Sequence, residues 1–428
     1  MTLILKNGRL FDPARGLDQI GDLVLEDGRI RQLGPDIAAA SPGVLDCQGL
    51  VVAPGFIDLH VHLRQPGFEY KETIETGTRA AAAGGFTAVC AMPNTRPVND
   101  NAGATAFLIE RARVLGHARV YPIGAITEAS QGERLAALGA MREAGAVGFS
   151  DDGRPVMNAQ VLRRALEYAL MDDLPVIEHA EDLHLSAGGA MHAGAVALRL
   201  GVRGISSASE STLVARDLLL AEETGAHIHI AHLSTAASVR LLREAKARGV
   251  RATAEVTPHH LTLCDEDMVP YDANFKMNPP LRSAADREAV IAGLADGTLD
   301  AIATDHAPHA AHEKQQEFDR APFGIIGLET ALPLALRLVA AGRLTLARVV
   351  DALSSAPARI FHLPGACLEP GAVADITVFD PNREWVYDPA QGRSKSRNSP
   401  FAGQTLRGRA VYTIVGGRLV YDLNRPEL

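Results

Sequence analysis

The chain has 428 residues, 47% of them hydrophobic and 22% charged, an ordinary globular balance that excludes disordered and membrane-embedded classes. A net charge of -9 at pH 7 without any run of Lys or Arg excludes the basic footprint of a nucleic-acid or anionic-membrane binder and points to a small-molecule partner. The length suits one large α/β barrel with an attached module, or several ordinary domains.

Met1 to Gly8 loses its apolar run at Lys6, too early for a signal sequence, and no uninterrupted apolar span of about 18 residues follows. A cytoplasmic protein is expected. Cys47, Cys90, Cys264 and Cys367 are isolated, with no Cys-x-x-Cys, so buried thiols are expected rather than disulfides or a zinc–thiolate site. Any metal then needs nitrogen and oxygen ligands.

From the N-terminus to about residue 50 the chain reads as short strands with turns: Thr2 to Leu5, then Asn7-Gly8, Asp22 to Leu25, then Asp27-Gly28, and Arg29 to Leu33. Asp-Gly between apolar runs is a strong hairpin cue. The C-terminal end has the same texture, with Asp375 to Phe379, Gln404 to Val415, Gly416-Gly417 and Arg418 to Tyr421. The two ends, 1–52 and 366–428, are expected to form one small β-sandwich beside a central unit, 53–365.

That unit opens with Gly55 to Arg64, an apolar strand ending in His60-Val61-His62. Side chains alternate faces along a strand, so the two imidazoles point the same way, with Asp58 on the same face as a carboxylate able to orient a metal-bound imidazole. Apolar runs then alternate with helical stretches: Phe86 to Met92, Ala118 to Ile126, Val147 to Ser150, Pro175 to Ile177, His227 to Ala231, Arg251 to Val256 and Ala301 to Thr304. Helix periodicity is clear in Val161-Leu162-Ala165-Leu166-Ala169 and in Val239-Leu242-Ala245, and Ser283 before Asp286 is a capping signal. Counting the first strand, eight β-then-α units predict a (β/α)8 TIM barrel.

A barrel enzyme builds its site at the C-terminal ends of its strands. Polar residues stand there in turn: His60, His62 and Arg64; Pro93-Asn94-Thr95; Ser150-Asp151-Asp152-Gly153; Glu178-His179-Ala180-Glu181-Asp182; His229 and His232; His259-His260; and Asp305-His306-Ala307-Pro308-His309. A single histidine after a strand is usually structural. Convergent imidazoles and carboxylates without a thiol instead suit Zn²⁺, Mn²⁺, Fe²⁺ or Co²⁺, with zinc the default for a hydrolytic site.

These strand ends resemble the amidohydrolase superfamily over nearly the whole chain. Asp58 to Gly67, Met92-Pro93-Asn94-Thr95, Phe149 to Gly153, Asp305 to His309, Glu313-Lys314 and Pro322 to Glu329 resemble class I dihydroorotases more closely. Many two-metal relatives bridge their ions with a carboxylated lysine after strand four, but this chain has no lysine between Lys71 and Lys246. A carboxylate is able to bridge instead, giving one oxygen to each ion. The resemblance implies Asp152; Asp151 competes, and period-two alternation lets only one of the pair face inward.

By that carry-over, His60, His62, Asp152 and Asp305 serve a first Zn²⁺, and Asp152, His179 and His232 a second. Metal-activated hydroxide would open the ring amide of dihydroorotate to carbamoyl-aspartate, with Asp305 as acid and base, and the cell would run the step toward ring closure in pyrimidine synthesis. Arg64 and Asn94 are expected to bind the substrate carboxylate, with His62, Asn278, His309 and the backbone of Phe323-Gly324 as further contacts. Residues 306–319 read as an irregular, lid-like segment. Gly204-Ile205-Ser206 departs from the Gly-Ile-Pro expected there, which bears on loop stiffness rather than chemistry. The alternatives are a dihydropyrimidinase, hydantoinase or allantoinase, and a non-catalytic partner of aspartate transcarbamoylase. The implied assemblies are a homodimer or a complex with that enzyme.

Overall fold

All eight predicted runs form strands in the computed structural model, which describes residues 2–37 and 43–425. They are Phe56–Val61, Phe86–Ala91, Arg119–Pro122, Phe149–Ser150, Val176–Glu178, Ile228–Ile230, Ala252–Val256 and Ala301–Ile302. The first three pair in parallel, as do the last five. Parallel bridges between Gly124 and Phe149 and between Val61 and His306 join the two groups at both seams. The ring closes as a (β/α)8 barrel.

The strands read as continuous apolar runs because helices cover their outer face and side chains fill the interior. The helix Ala159–Leu170 buries Val161, Leu162, Ala165, Leu166 and Ala169, and Asn158 caps it by accepting from the Gln160 and Val161 amides. Ala236–Ala247 buries Val239, Leu242 and Ala245. Ser283 caps Ala284–Ala295, accepting from the Asp286 amide and donating to the Asp286 carboxylate at 2.6 Å. Ser206 likewise caps Ser207–Thr224 through the Ala208 amide. No helix among the described residues is long and apolar enough to cross a membrane.

Both chain ends enter one hydrogen-bonded sheet of eight strands. Its join is Val51–Pro54, parallel to Thr2–Asp12 on one side and antiparallel to Ile376–Val386 on the other. Leu5, Leu23, Ile30, Val52, Ile376, Val378 and Ile414 share its core. Met1, 38–42 and 426–428, which fall within the ranges expected for the sandwich, lie outside the described residues. Asp27-Gly28 and Gly416-Gly417 turn the expected hairpins, all four at positive φ. Asn7-Gly8 does not turn the chain: it lies inside Thr2–Asp12, where the register slips between Leu5 and Gly8 and Asn7 has φ 61°. A residue pair tolerant of positive φ serves a bulge as readily as a turn.

Candidate active site

The strand ends bring His60, His62, Asp152, His179, His232 and Asp305 into one buried cluster. His60 Nε2 lies 3.3 Å from Asp152 Oδ1 and 3.6 Å from Asp305 Oδ1. His62 Nε2 lies 3.0 Å from Asp305 Oδ1 and 3.5 Å from Asp152 Oδ2. On the other side His179 Nδ1 and His232 Nε2 are 2.9 Å apart, and 3.8 Å and 3.7 Å from Asp152 Oδ1. One carboxylate thus faces all four imidazoles.

The spacing suits a metal. Zinc–ligand bonds of about 2.0–2.1 Å in tetrahedral array separate neighbouring ligand atoms by about 3.3–3.4 Å, the middle of the range found here. His60, Asp152 and His232 make one group able to hold an ion, and His60, His62 and Asp305 another. His60 Nε2 and Asp152 Oδ1 are buried without a hydrogen-bond partner, a cost that a shared cation removes.

Electrostatics agree. Burial opposes a charged His60, yet Asp152 and Asp305 outweigh it and raise the imidazole well above its ordinary pKa. Burial likewise opposes ionised Asp152, but His60, His232 and His62 hold it well below the carboxylate range. The cluster therefore draws positive charge, and a cation taking the place of that proton binds more tightly as pH rises.

Asp151 faces elsewhere. Its carboxylate accepts from the amides of Ile126 and Thr127 at 2.9 and 3.1 Å and from the Thr127 hydroxyl, tying strand four to the loop after strand three. Asp58 also departs from expectation. It accepts from the amides of His60 and Thr304 and, at 2.6 Å, from the Thr304 hydroxyl. A rise of about 3.3 Å per residue leaves it well below the His60 ring, so it ties strand one to strand eight instead.

Glu255 orients His60. Its Oε1 lies 2.7 Å from His60 Nδ1 and its Oε2 3.2 Å from His229 Nε2. Burial opposes its charge, but these two imidazoles hold it below the ordinary carboxylate range. Bonding at Nδ1 leaves His60 Nε2 free for a ligand. Glu181 does the same beside His179, with Oε2 3.0 Å from Nε2, and has its pKa lowered to about 2 against its burial by that histidine. Sequence reasoning missed Glu255, although a lone carboxylate inside an apolar barrel strand was the available signal.

The expected substrate residues Arg64, Asn94, Asn278, His309, Phe323 and Gly324 line one cleft of about 220 Å³ with His62, Asp152, His179, His232 and Asp305. Arg64 donates from Nε to Pro308 O at 3.2 Å and has Nη2 3.5 Å from His309 Nε2. It forms no ion pair among the described residues. Asn94 and Asn278 are partly engaged: Asn94 Oδ1 lies 2.8 Å from His62 Nδ1, and Asn278 Nδ2 donates to Glu181 Oε2 at 2.8 Å. Histidines 260 and 306 are absorbed by packing partners, Thr257 with Pro279 O and Glu72 with the Gly327 amide. Residues 306–319 include a short helix, Ala311–Lys314, and Lys314 Nζ donates to the carbonyls of Lys276, Pro322 and Gly324 at 3.3, 2.9 and 3.0 Å.

A family model described as "Dihydro-orotase-like" matches residues 49–238. The dihydroorotase of Solibacter usitatus is 56% identical, over 99% of this chain and 98% of the relative. That of Pelotomaculum thermopropionicum is 57% identical, over 98% of each. The chain belongs to the dihydroorotase family. Among solved structures, the L-hydantoinase from Arthrobacter aurescens superposes with a TM-score of 0.88 at 26% identity, over 98% of this chain and 96% of that one. The D-hydantoinase (dihydropyrimidinase) from Thermus sp. does so with a TM-score of 0.82 at 26% identity, over 98% and 95%. Both are named hydantoinase and dihydropyrimidinase, so this member of the dihydroorotase family shares its barrel with proteins of those names.

For this dihydroorotase-family site the Glu255 contact makes a direct prediction. Glu255→Gln keeps the shape but removes the charge opposite His60, and metal affinity is expected to fall about 10–100-fold. Metal titration followed by calorimetry, with circular dichroism to check folding, reads it; an unchanged affinity would remove Glu255 from the orienting role.

Proposed function

We propose that the chain is a dihydroorotase, catalysing the reversible cyclisation of N-carbamoyl-L-aspartate to L-dihydroorotate in pyrimidine biosynthesis. The observation that carries this reading is Arg64: a half-buried guanidinium in the wall of the cleft, beside the His/Asp cluster and without a carboxylate partner of its own. Arginine presents a planar fork of donors matched to a carboxylate. A substrate with a free carboxylate next to the reacting amide answers that geometry, and a hydantoin or dihydrouracil ring does not.

The cation best suited to this thiol-free nitrogen and oxygen set is Zn²⁺, as one ion or as two bridged by Asp152. His60, His62, Asp152 and Asp305 would hold the first and Asp152, His179 and His232 the second. Bound there, it supplies Lewis-acid polarisation of a carbonyl and acidifies water near neutral pH. The chain supplies the rest. Arg64, Asn94 and His309 hold the substrate carboxylate, while Asn278 and the backbone of Phe323-Gly324 meet the ring. Asp305 accepts the proton of the attacking water and returns it to the leaving ring nitrogen; in the biosynthetic direction it takes a proton from the carbamoyl nitrogen as that nitrogen closes on the carboxyl carbon and passes it to the carboxyl oxygen whose bond to carbon breaks, which leaves, with one further proton from solvent, as water.

The bilobed division 1–52, 53–365 and 366–428 and a cytoplasmic location belong to the same proposal. So do homodimerisation and association with aspartate transcarbamoylase, which size-exclusion chromatography of the chain alone and of the mixture tests.

A side-by-side assay decides between readings. Hydrolysis of dihydroorotate, lost with a chelator and restored by zinc, is expected, with little turnover of hydantoin or dihydrouracil. Preference for the uncharged rings would move the chain to the hydantoinase alternative. Arg64→Met is expected to raise KM for dihydroorotate at least about tenfold, a loss of roughly 1.4 kcal/mol or more, with a smaller change in kcat. An unaffected KM would place the carboxylate elsewhere.

A further inference from the structure

Between the strands Ile376–Val386 and Thr405–Val415 the chain leaves the terminal sheet and runs across the barrel mouth. Ser394, Ser396 and Asn398 are buried there while Lys395 and Arg397 face solvent, so one side of an extended strap is packed down. Each buried residue binds a different segment, and the partners of Asn398 belong to the cleft wall itself. The Ser394 hydroxyl donates to the Glu72 carboxylate, which also accepts from the Lys395 amide at 3.0 Å and faces His306 Nε2 at 3.4 Å. Ser396 Oγ donates to Lys71 O at 2.7 Å.

Asn398 is the most heavily engaged. Its Nδ2 donates to the carbonyls of Ala307 and Gly324, both at 3.0 Å, and its Oδ1 accepts from the His309 amide at 3.1 Å. Its own carbonyl accepts from the Ile326 amide at 2.9 Å. One side chain thus spans the loop after strand eight and the segment carrying Phe323 and Gly324. Across that span His309 Nε2 meets Phe323 O at 2.8 Å and lies 3.5 Å from Arg64. Two carbonyl oxygens converge on one amide nitrogen, an arrangement that only a group with two donors satisfies.

We infer that the strap 394–398 is a positioning element of the substrate-carboxylate clamp, with Asn398 setting the distance between His309 and the Phe323-Gly324 wall. This inference rests on the proposed dihydroorotase reaction. Asn398 touches no substrate atom in this scheme; it acts through the groups that do.

Asn398→Asp tests it, because it keeps the acceptor for the His309 amide and turns an oxygen toward the two carbonyls. KM for dihydroorotate is expected to rise about tenfold, as misplacement of a clamp predicts, with metal content and kcat near those of the parent. In an Arg64→Met background the same substitution is expected to change KM less, since the clamp has already lost its charged member. Ser396→Ala, which removes one anchor, serves if the aspartate variant does not fold, and a KM rise of about threefold is expected. Equal effects of Asn398→Asp in both backgrounds, or an unchanged KM with a lowered Tm, would reduce the strap to a structural brace. If the unmodified enzyme fails on dihydroorotate, the reaction reading falls first and the inference with it, an outcome visible before any variant is assayed.

Discussion

Asp152→Ala is expected to abolish turnover and strip metal from the protein. The Asp152 carboxylate stands between His60, His62, His179 and His232, at 3.3 to 3.8 Å from each. Without it the group His60, Asp152 and His232 keeps no carboxylate, and the four imidazoles lose the one carboxylate that faces them all, Glu255 and Glu181 lying behind the rings of His60 and His179. A fall in kcat/KM of about 10³-fold or more is expected, roughly 4 kcal/mol of transition-state stabilisation. Asp151→Ala is the matched control. It leaves the amides of Ile126 and Thr127 without their acceptor, at about 1–3 kcal/mol for each buried donor. It is expected to lower Tm and retain metal. Metal analysis with the opposite pattern would overturn the assignment of Asp152.

The second large effect is expected from Asp305→Asn. The amide is nearly isosteric and still offers an oxygen, but it cannot take a proton from water. Assayed with metal added to saturation, because a neutral amide is a weaker ligand than the carboxylate it replaces, kcat is expected to fall about 10²–10⁴-fold, the usual worth of a positioned general acid–base group. Burial would raise the pKa of Asp305, yet His60, His62 and His232 outweigh it and hold the carboxylate below its ordinary value. In the proposed hydrolysis the ionised form is the base. Hydrolytic activity should therefore fall as pH drops through that lowered pKa, and the acidic limb should vanish in the asparagine variant. A kcat within tenfold of the parent would exclude Asp305 as the proton carrier.

Much of the molecule was legible along the chain. Parallel strands buried on both faces leave unbroken apolar runs, which is why all eight barrel strands, from Phe56–Val61 to Ala301–Ile302, were found. Helix faces such as Val161-Leu162-Ala165-Leu166-Ala169 were legible because burial follows the helical period. The His-x-His pair was legible because alternation along a strand is strict. Asn7-Gly8 reads as a turn and forms a bulge because the two share one conformational signal. The contact of Asp58 with Thr304 is not legible, because alternation gives a face and not a neighbour across the ring.

The sequence by itself determined the barrel, the order of polar strand ends, a thiol-free set of histidines and aspartates, and the impossibility of a lysine carbamate after strand four. These depend on residue type and local period, which the chain carries directly. Tertiary structure alone decided that Asp152 turns to the imidazoles while Asp151 binds backbone amides, that Glu255 orients His60, and that Asn398 reaches back to Ala307, His309 and Gly324. Each of these contacts joins residues far apart in sequence. Their meeting depends on barrel closure and on the path of the strap, and neither leaves a periodic trace along the chain.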